Sequence, residues 1–359
     1  MLEHKLKDVN IRCEELLVTP RELMKDLSLD EDTQNFIYSG REQVRAILTG
    51  LDHRLIMKVG PCSIHDVEEA KKYFEKLKLL ADKVNDKILV LARTYFEKPR
   101  TRNGWPGLLC DPRINEEGDV STGARLSRSL LLDLARSGIY STTELLSPEA
   151  AQYYGDLIVD ASIGARTIET PNLRHMSSGL SMPVGLKNGT CGNIDKALDA
   201  VVTTRHPNIF VGPNLDLRGC RELTEGNQDS YMILRGGKDG PNYDEVSVRY
   251  ALAGLKKEGV PTGIVVDASH ANAMVPNGNG GLKKDPMKQP EIVYDVVRLN
   301  QNGMNVVGVM VESNTLGGTN KIPYPLEDRA QLVPGQSITD PCLPLDKTIE
   351  MIETVYKRL

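Results

Sequence analysis

The chain has 359 residues, 40% of them hydrophobic and 26% charged, with a formal net charge of −5. That length and balance suit a globular protein with a large core, and the acidic excess argues against a nucleic-acid or anionic-membrane partner. No apolar run approaches the roughly 20 residues of a spanning helix, and the amino-terminal MLEHKLKDVNIRCEELL carries charge throughout, so no membrane and a cytoplasmic location are expected.

Residues 1–50 read as an N-terminal extension, helix-like at 21–27 and 43–48, acting as a regulatory or subunit-contact arm. From residue 51 onward, short apolar runs alternate with longer amphipathic ones. The first strand falls at 55–59. A helix over 67–83 follows, with Asp66 as N-cap and acids in its first turn. The second strand is 88–93, followed by a helix at 124–137. The third is 139–145, followed by a helix at 148–159 with Pro148 in a first helical position. The fourth strand is 161–165, and the fifth, 183–187, leads to a helix at 194–204. A pair, 209–211 and 231–234, fills the sixth position before a helix at 243–257. The seventh strand, 263–267, precedes a helix at 291–300, and the eighth, 306–311, precedes the last helix at 345–359. Eight strand positions alternating with helices predict an α/β protein, a (β/α)8 TIM barrel over 51–359 behind the extension. An open doubly wound sheet is disfavoured because no GxGxxG opens the first βα unit.

The loops after the strands of such a barrel build its active site. The first strand runs into Gly60-Pro61-Cys62-Ser63-Ile64-His65-Asp66, and the second ends at Arg93 and leads to Glu97-Lys98-Pro99-Arg100-Thr101. The third gives Glu144, the fourth Gly164-Ala165-Arg166-Thr167, and the fifth Lys187-Asn188-Gly189-Thr190. The sixth gives Arg235-Gly236-Gly237-Lys238, the seventh Asp267-Ala268-Ser269-His270, and the eighth Glu312-Ser313. Arg93, Lys98, Arg100, Arg166, Lys187 and Arg235 thus converge on one mouth of an acidic protein. Such a set requires anions among it, and the load fits substrates carrying two phosphates and a carboxylate. Cys62, His270, Glu312 and Asp340 (after strand eight) supply a thiolate, an imidazole and two carboxylates. That mixture suits one divalent ion, Mn2+, Fe2+, Co2+ or Zn2+, with room for a substrate oxygen. Singly, each of these residues reads as a buried thiol, a core imidazole or a solvated charge; the alignment on strand ends carries the reading. Trp105 reads as a turn anchor, and 277–281 as a flexible surface loop near the site.

The strings GPCSIHD (60–66), YFEKPRT (95–101), IGART (163–167), PVGLKNGT (183–190), ILRGGK (233–238), ASHAN (268–272), GVMVES (308–313) and SITD (337–340) resemble type I 3-deoxy-D-arabino-heptulosonate-7-phosphate (DAHP) synthases. The likeness extends from residues 9–23 to the last helix, and is to the subtype whose aromatic amino acid inhibitors bind near an N-terminal extension. It implies a metal-dependent barrel enzyme, a homodimer or homotetramer, that condenses phosphoenolpyruvate with an aldose phosphate, erythrose 4-phosphate, at the start of aromatic amino acid biosynthesis. By motif, Cys62, His270, Glu312 and Asp340 would hold the metal. Arg93, Arg166, Lys187 and Arg235, beside Ala165, would hold phosphoenolpyruvate. Lys98, Arg100 and Thr101 would meet the aldose phosphate. Lys98, Glu144 and His270 are the catalytic candidates, Lys98 to protonate an alkoxide and Glu144 to activate water.

The chain departs from the family pattern at Cys191, at Thr143-Glu144-Leu145, at Ile168-Glu169-Thr170-Pro171 and over 210–228. These changes bear on the aldehyde and on the inhibitor, so weak or absent inhibition by Phe, Tyr and Trp is expected. Three alternatives stand beside this reading: the same condensation on another aldose phosphate, a Schiff-base aldolase using Lys187 or Lys98, and a non-catalytic metabolite-binding paralogue.

Overall fold

The computed structural model describes residues 6–359. The extension begins with α1 (Pro20–Asp26), opened by a capping box between Thr19 and Glu22 with Pro20 at its first position. Next comes α2 (Glu31–Leu48), whose N-cap Asp30 accepts from Thr33 N. This helix is three times the length of the 43–48 stretch expected. Its buried stripe, Thr33, Ile37, Gly40, Val44 and Ile47, has helical spacing but opens with a threonine and contains a glycine, so hydropathy alone hides it. The glycine is required: a Cβ on Gly40 would lie 2.5 Å from the Tyr140 ring and 2.7 Å from Val159.

Eight parallel strands close into a barrel: β1 (Leu55–Gly60), β2 (Ile88–Arg93), β3 (Tyr140–Glu144), β4 (Asp160–Ile163), β5 (Val184–Lys187), β6 (Tyr231–Leu234), β7 (Ile264–Asp267) and β8 (Val306–Asn314). Each pairs with the next, and β8 returns to β1 with Ile56 opposite Gly308 and Gly60 opposite Glu312. Most of the strands are β-branched and apolar because both faces are covered, β3 (YSTTE) being the polar exception. Met57, Val59, Val184, Leu186, Val309 and Val311 pack outward with the helices. Ile56, Leu89, Leu91, Tyr231, Ile233, Val265 and Met310 form a second cluster together with Ile37, Val44, Ile47 and Leu48 of α2. Helix α2 therefore closes the amino-terminal floor of the barrel. Within the barrel, Lys58, Asp160 and Tyr231 are fully buried, and Asp160 accepts from Lys58 Nζ, Thr142 Oγ1 and Tyr231 Oη.

The outer ring comprises α3 (Val67–Val84), α4 (Val120–Arg136), α5 (Pro148–Tyr154), α6 (Pro171–Ser177), α7 (Asp195–Arg205), α8 (Glu245–Lys257), α9 (Gln289–Gln301) and α10 (Leu345–Arg358). Asp66 caps α3 as expected. Helix α4 starts four residues earlier than its apolar pattern, because Asp119 caps it. Helix α6 fills the interval after β4 that hydropathy left open.

One expectation is corrected and one refined. Residues 209–211 are not part of the sixth barrel strand. Ile209–Pro213 pairs antiparallel with Gly219–Leu223 in a hairpin outside the barrel, where Ile209 and Val211 are exposed, whereas the four residues of β6 are all buried. Residues 277–281 are the tip of a ribbon in which Met274–Pro276 pairs with Leu282–Lys284. Asn277 Oδ1 accepts from Asn279 N and Gly281 N there, which gives the tip its turn. No helix among the described residues is long and apolar enough to cross a membrane.

Candidate active site

The side chains at the carboxyl ends of the strands meet as ion pairs. Arg93, fully buried, donates from Nη2 to Glu312 Oε1 at 2.9 Å and from Nη1 to the carbonyls of Pro61 and Cys62. Its guanidinium carbon lies 3.5 Å from the centroid of the Tyr95 ring. Burial alone would lower its pKa, but Glu312, Tyr95 and Cys62 outweigh that and hold it above the ordinary arginine value. Lys187 Nζ lies 3.1 Å from Glu144 Oε2, 3.6 Å from Asp267 Oδ2 and 3.4 Å from Tyr95 Oη. Burial opposes its charge too, and Tyr95, Glu144 and Asp267 more than restore it. Lys98 Nζ sits 3.1 Å from Cys62 Sγ.

Cys62, Glu312 and Asp340 bring one donor atom each within 4.8 Å of one another. His270 borders them, its Nε2 3.7 Å from Glu312 Oε1. Its Nδ1 lies 2.8 Å from Asp267 Oδ2, so Nδ1–H donates to the carboxylate and the Nε2 lone pair is left to face the cluster. Glu312 is held in place by Gln289, which accepts from its N–H at 2.8 Å and donates to its carbonyl at 2.9 Å. Burial works against the Glu312 charge, yet Lys284, His270 and Arg93 keep it well below the usual carboxylate range. A thiol, two ionised carboxylates and an oriented imidazole fit a divalent transition ion by the chemistry of their donors. The ammonium of Lys284 reaches Glu312 and lies 3.3 Å from Asp340, so these donors already draw a cation.

Beside this cluster opens a cavity of about 340 Å³, lined by Arg93, Tyr95, Lys98, Arg100, Thr101, Glu144, Arg166, His270 and Asp340 among others. Arg100 and Arg166 are exposed and have no ion pair among the described residues; Arg166 Nε donates to Thr101 Oγ1 at 3.0 Å. Lys187, Arg235 and Ala165 do not line the cavity wall. Lys187 is buried against Glu144, and Arg235 is half-buried, its N–H bonded to Asn188 Oδ1 at 2.8 Å. Part of the anion requirement is thus met within the protein: Arg93 and Lys187 carry buried acid partners, and Lys98 lies against the Cys62 sulfur. Sequence reasoning gave no role to Asp267, Tyr95 or Lys284. Asp267 stood in a quoted strand end, but only the closed barrel shows that it serves both His270 and Lys187. Lys284 had no local signal, because a ribbon brings it in.

A second cavity, about 400 Å³, lies between α5, α6 and the outer hairpin, with Gln152, Ser178, Leu180, Phe210, Gly212 and Glu222 in its wall. It occupies part of the 210–228 stretch where the family pattern lapses.

The model of the DAHP synthetase I family matches residues 28–353. The Tyr-sensitive phospho-2-dehydro-3-deoxyheptonate aldolase of Escherichia coli (strain K12) is 38% identical over 362 residues, covering 100% of this chain and 98% of that protein. The Phe-sensitive phospho-2-dehydro-3-deoxyheptonate aldolase of the same organism is 37% identical over 348 residues, covering 97% and 95%. The solved structure of phospho-2-dehydro-3-deoxyheptonate aldolase from Francisella tularensis SCHU S4 superposes with a TM-score of 0.91 at 35% identity, covering 97% of this chain and 98% of that one.

Proposed function

The chain belongs to the DAHP synthetase I family, and from that premise we infer the reaction and the residues that perform it. The protein is a transferase, a 3-deoxy-7-phosphoheptulonate synthase, condensing phosphoenolpyruvate with erythrose 4-phosphate to DAHP and inorganic phosphate. The observation that carries the residue roles is the adjacency of the Cys62, Glu312 and Asp340 donors to a cavity walled by Arg93, Lys98, Arg100 and Arg166.

In our reading, Cys62, His270 Nε2, Glu312 and Asp340 would hold a divalent metal, which would supply Lewis-acid polarisation of the aldehyde carbonyl when bound. Arg93, Arg166, Lys187 and Arg235 hold the phosphate and carboxylate of phosphoenolpyruvate, and Arg100 and Thr101 take the aldose phosphate. Carbon 3 of phosphoenolpyruvate forms the new bond to the aldehyde carbon, and Lys98 delivers a proton to the alkoxide. Water adds at carbon 2 while Glu144 accepts its proton. The tetrahedral hemiketal phosphate then breaks its carbon–oxygen bond and releases phosphate. Burial would raise Glu144, but Lys187 and Lys98 hold it below its ordinary value, so it is ionised and ready to accept. The Schiff-base alternative loses its ground. It required lysines of depressed pKa, but against the effect of burial Tyr95, Glu144 and Asp267 raise Lys187, and Cys62, Glu312 and Asp340 raise Lys98.

We also read the protein as a cytoplasmic homodimer or homotetramer loaded with Mn2+, Fe2+, Co2+ or Zn2+. Exposed Leu6, Val9, Ile11 and Leu16 along the arm support its use as a subunit contact. The test of the main reading is phosphate release from phosphoenolpyruvate with a panel of three- to five-carbon aldose phosphates. Erythrose 4-phosphate should give the highest kcat/KM, and a clear preference for a five-carbon sugar would overturn the assignment of the aldehyde.

A second reading concerns control. The cavity beside Phe210 supports the opposite of the weak inhibition expected from the sequence, since it offers an aromatic wall with polar groups at Gln152, Ser178 and Glu222. Relatives carrying the names Tyr-sensitive and Phe-sensitive are comparably similar to this chain. We therefore propose that an aromatic amino acid binds there and inhibits. Titrating Tyr, Phe and Trp into the condensation assay tests this, and indifference to all three would sink it.

A further inference from the structure

We propose that Tyr95 is the positioning residue for phosphoenolpyruvate, one side chain fixing both Arg93 and Lys187, with its ring under the first and its hydroxyl against the second. The proposal rests on the reading above that those two cations hold this substrate.

Tyr95 is 2% exposed and forms part of the cavity wall. Its main-chain carbonyl accepts from Ile64 N at 2.9 Å, which ties it to the loop that carries Cys62. The hydrogen bonds of Arg93 all leave from its two terminal nitrogens, towards Glu312 and the Pro61 and Cys62 carbonyls. Its Nε is buried without a hydrogen-bond partner among the described residues. A planar cation bonded only along its far edge can still swing about that edge. The Tyr95 ring, 3.5 Å from the guanidinium carbon, removes that freedom by covering one face.

The hydroxyl does the same for Lys187 by a chain of hydrogen bonds with one direction. An ammonium can only donate, so at 3.4 Å the Lys187 Nζ donates a hydrogen bond to Tyr95 Oη. Tyr95 then donates to Ser162 Oγ at 2.9 Å, and Ser162 donates to the Thr143 carbonyl at 3.3 Å. The chain ends on the backbone of β3, so nothing in it is free to reverse. Among the described residues the only competing acceptor for the Tyr95 proton is Met310 Sδ at 3.6 Å, a weak one. With Glu144 and Asp267 also at its ammonium, Lys187 is held at three points, and Tyr95 is the one of the three that also touches Arg93.

Two substitutions separate the ring from the hydroxyl. Tyr95→Phe keeps the ring under Arg93 and removes the acceptor for Lys187; Tyr95→Leu removes both. In metal-loaded full-length enzyme, Tyr95→Phe should raise KM for phosphoenolpyruvate roughly three- to tenfold, part of the full value of a hydrogen bond to a charged group because the contact is long. Tyr95→Leu should raise it further, by roughly tenfold or more. KM for erythrose 4-phosphate should stay within about twofold of the parent in Tyr95→Phe, since a positioning role confined to one substrate moves one KM. Lys187→Met serves as the reference. If it raises KM for phosphoenolpyruvate while both Tyr95 variants leave it unchanged, the reading of Lys187 stands and the proposal for Tyr95 falls. If Lys187→Met also leaves it unchanged, both fall. A lowered melting temperature in the Tyr95 variants with both KM values normal would show a merely structural tyrosine and overturn the proposal.

Discussion

At the scale of single residues, the chemistry was legible wherever a quoted strand end supplied the side chain, and hidden wherever its partner came from elsewhere. Cys62, His270, Glu312 and Asp340 could be listed from the sequence, although residues 62 and 340 meet only because β8 closes on β1. Cys62→Ala should fold with a near-parental circular dichroism spectrum and bind less than one equivalent of Mn2+ or Co2+ at equilibrium dialysis; full metal occupancy would remove Cys62 from the ligand set. Glu97, next to Lys98, was passed over because nothing in the sequence shows that its carboxyl is buried. Burial and nearby Glu144 push it up to about 7, against the bond it accepts from Leu146 N. A carboxyl raised in the folded state stabilises most below its unfolded value near 4.5 and loses that contribution as pH rises through about 7. The amount is on the order of 3 kcal/mol. Glu97→Gln should therefore flatten the fall in melting temperature between about pH 5 and about pH 8, and an unchanged slope would show that Glu97 titrates elsewhere.

At the scale of elements, most barrel strands are readable because their residues are apolar on both faces, and the sequence misleads where one face is wet. The outer hairpin alternates exposed and covered residues, and its first strand was mistaken for half of a barrel strand. Helix α2 was missed over most of its length because its stripe spends positions on Thr33 and Gly40. Loop geometry was out of reach as well. Gly237 packs so closely on the loop after β5 that a Cβ would lie 2.1 Å from both the N and the Cα of Gly192. The same two loops are joined by Lys238 N donating to the Thr190 carbonyl. Gly237→Ala should push apart the loops that carry Arg235 and Lys187. A loss of about 1–3 kcal/mol of stability is expected, with a raised KM for phosphoenolpyruvate. Normal stability and normal KM together would mean that the loops have slack the packing does not show.

At the scale of the whole molecule, a (β/α)8 barrel was predictable, but its floor was not. The arm read as an accessory contains the helix whose Ile37, Val44, Ile47 and Leu48 are each at most 3% exposed and cover the barrel interior. Burying such side chains is worth about 1.5–3 kcal/mol apiece, so together they rival a net stability of about 5–15 kcal/mol. Removing residues 1–17 should leave the melting temperature close to that of the full chain while changing the oligomer size seen by gel filtration. Removing residues 1–48 should give insoluble protein or one without a cooperative melt; a soluble, cooperatively melting barrel would show that the floor is dispensable. The position of that helix also sets a schedule for synthesis. It leaves the ribosome before any strand it covers, and its last partner on β8, Met310, follows more than two hundred and fifty residues later. At roughly 5–20 residues per second, the apolar face of α2 is without its final seat for tens of seconds. During each round of translation the apolar face of this helix therefore stays incompletely covered until the last strand of the barrel has emerged, and the order of the elements sets how long that lasts.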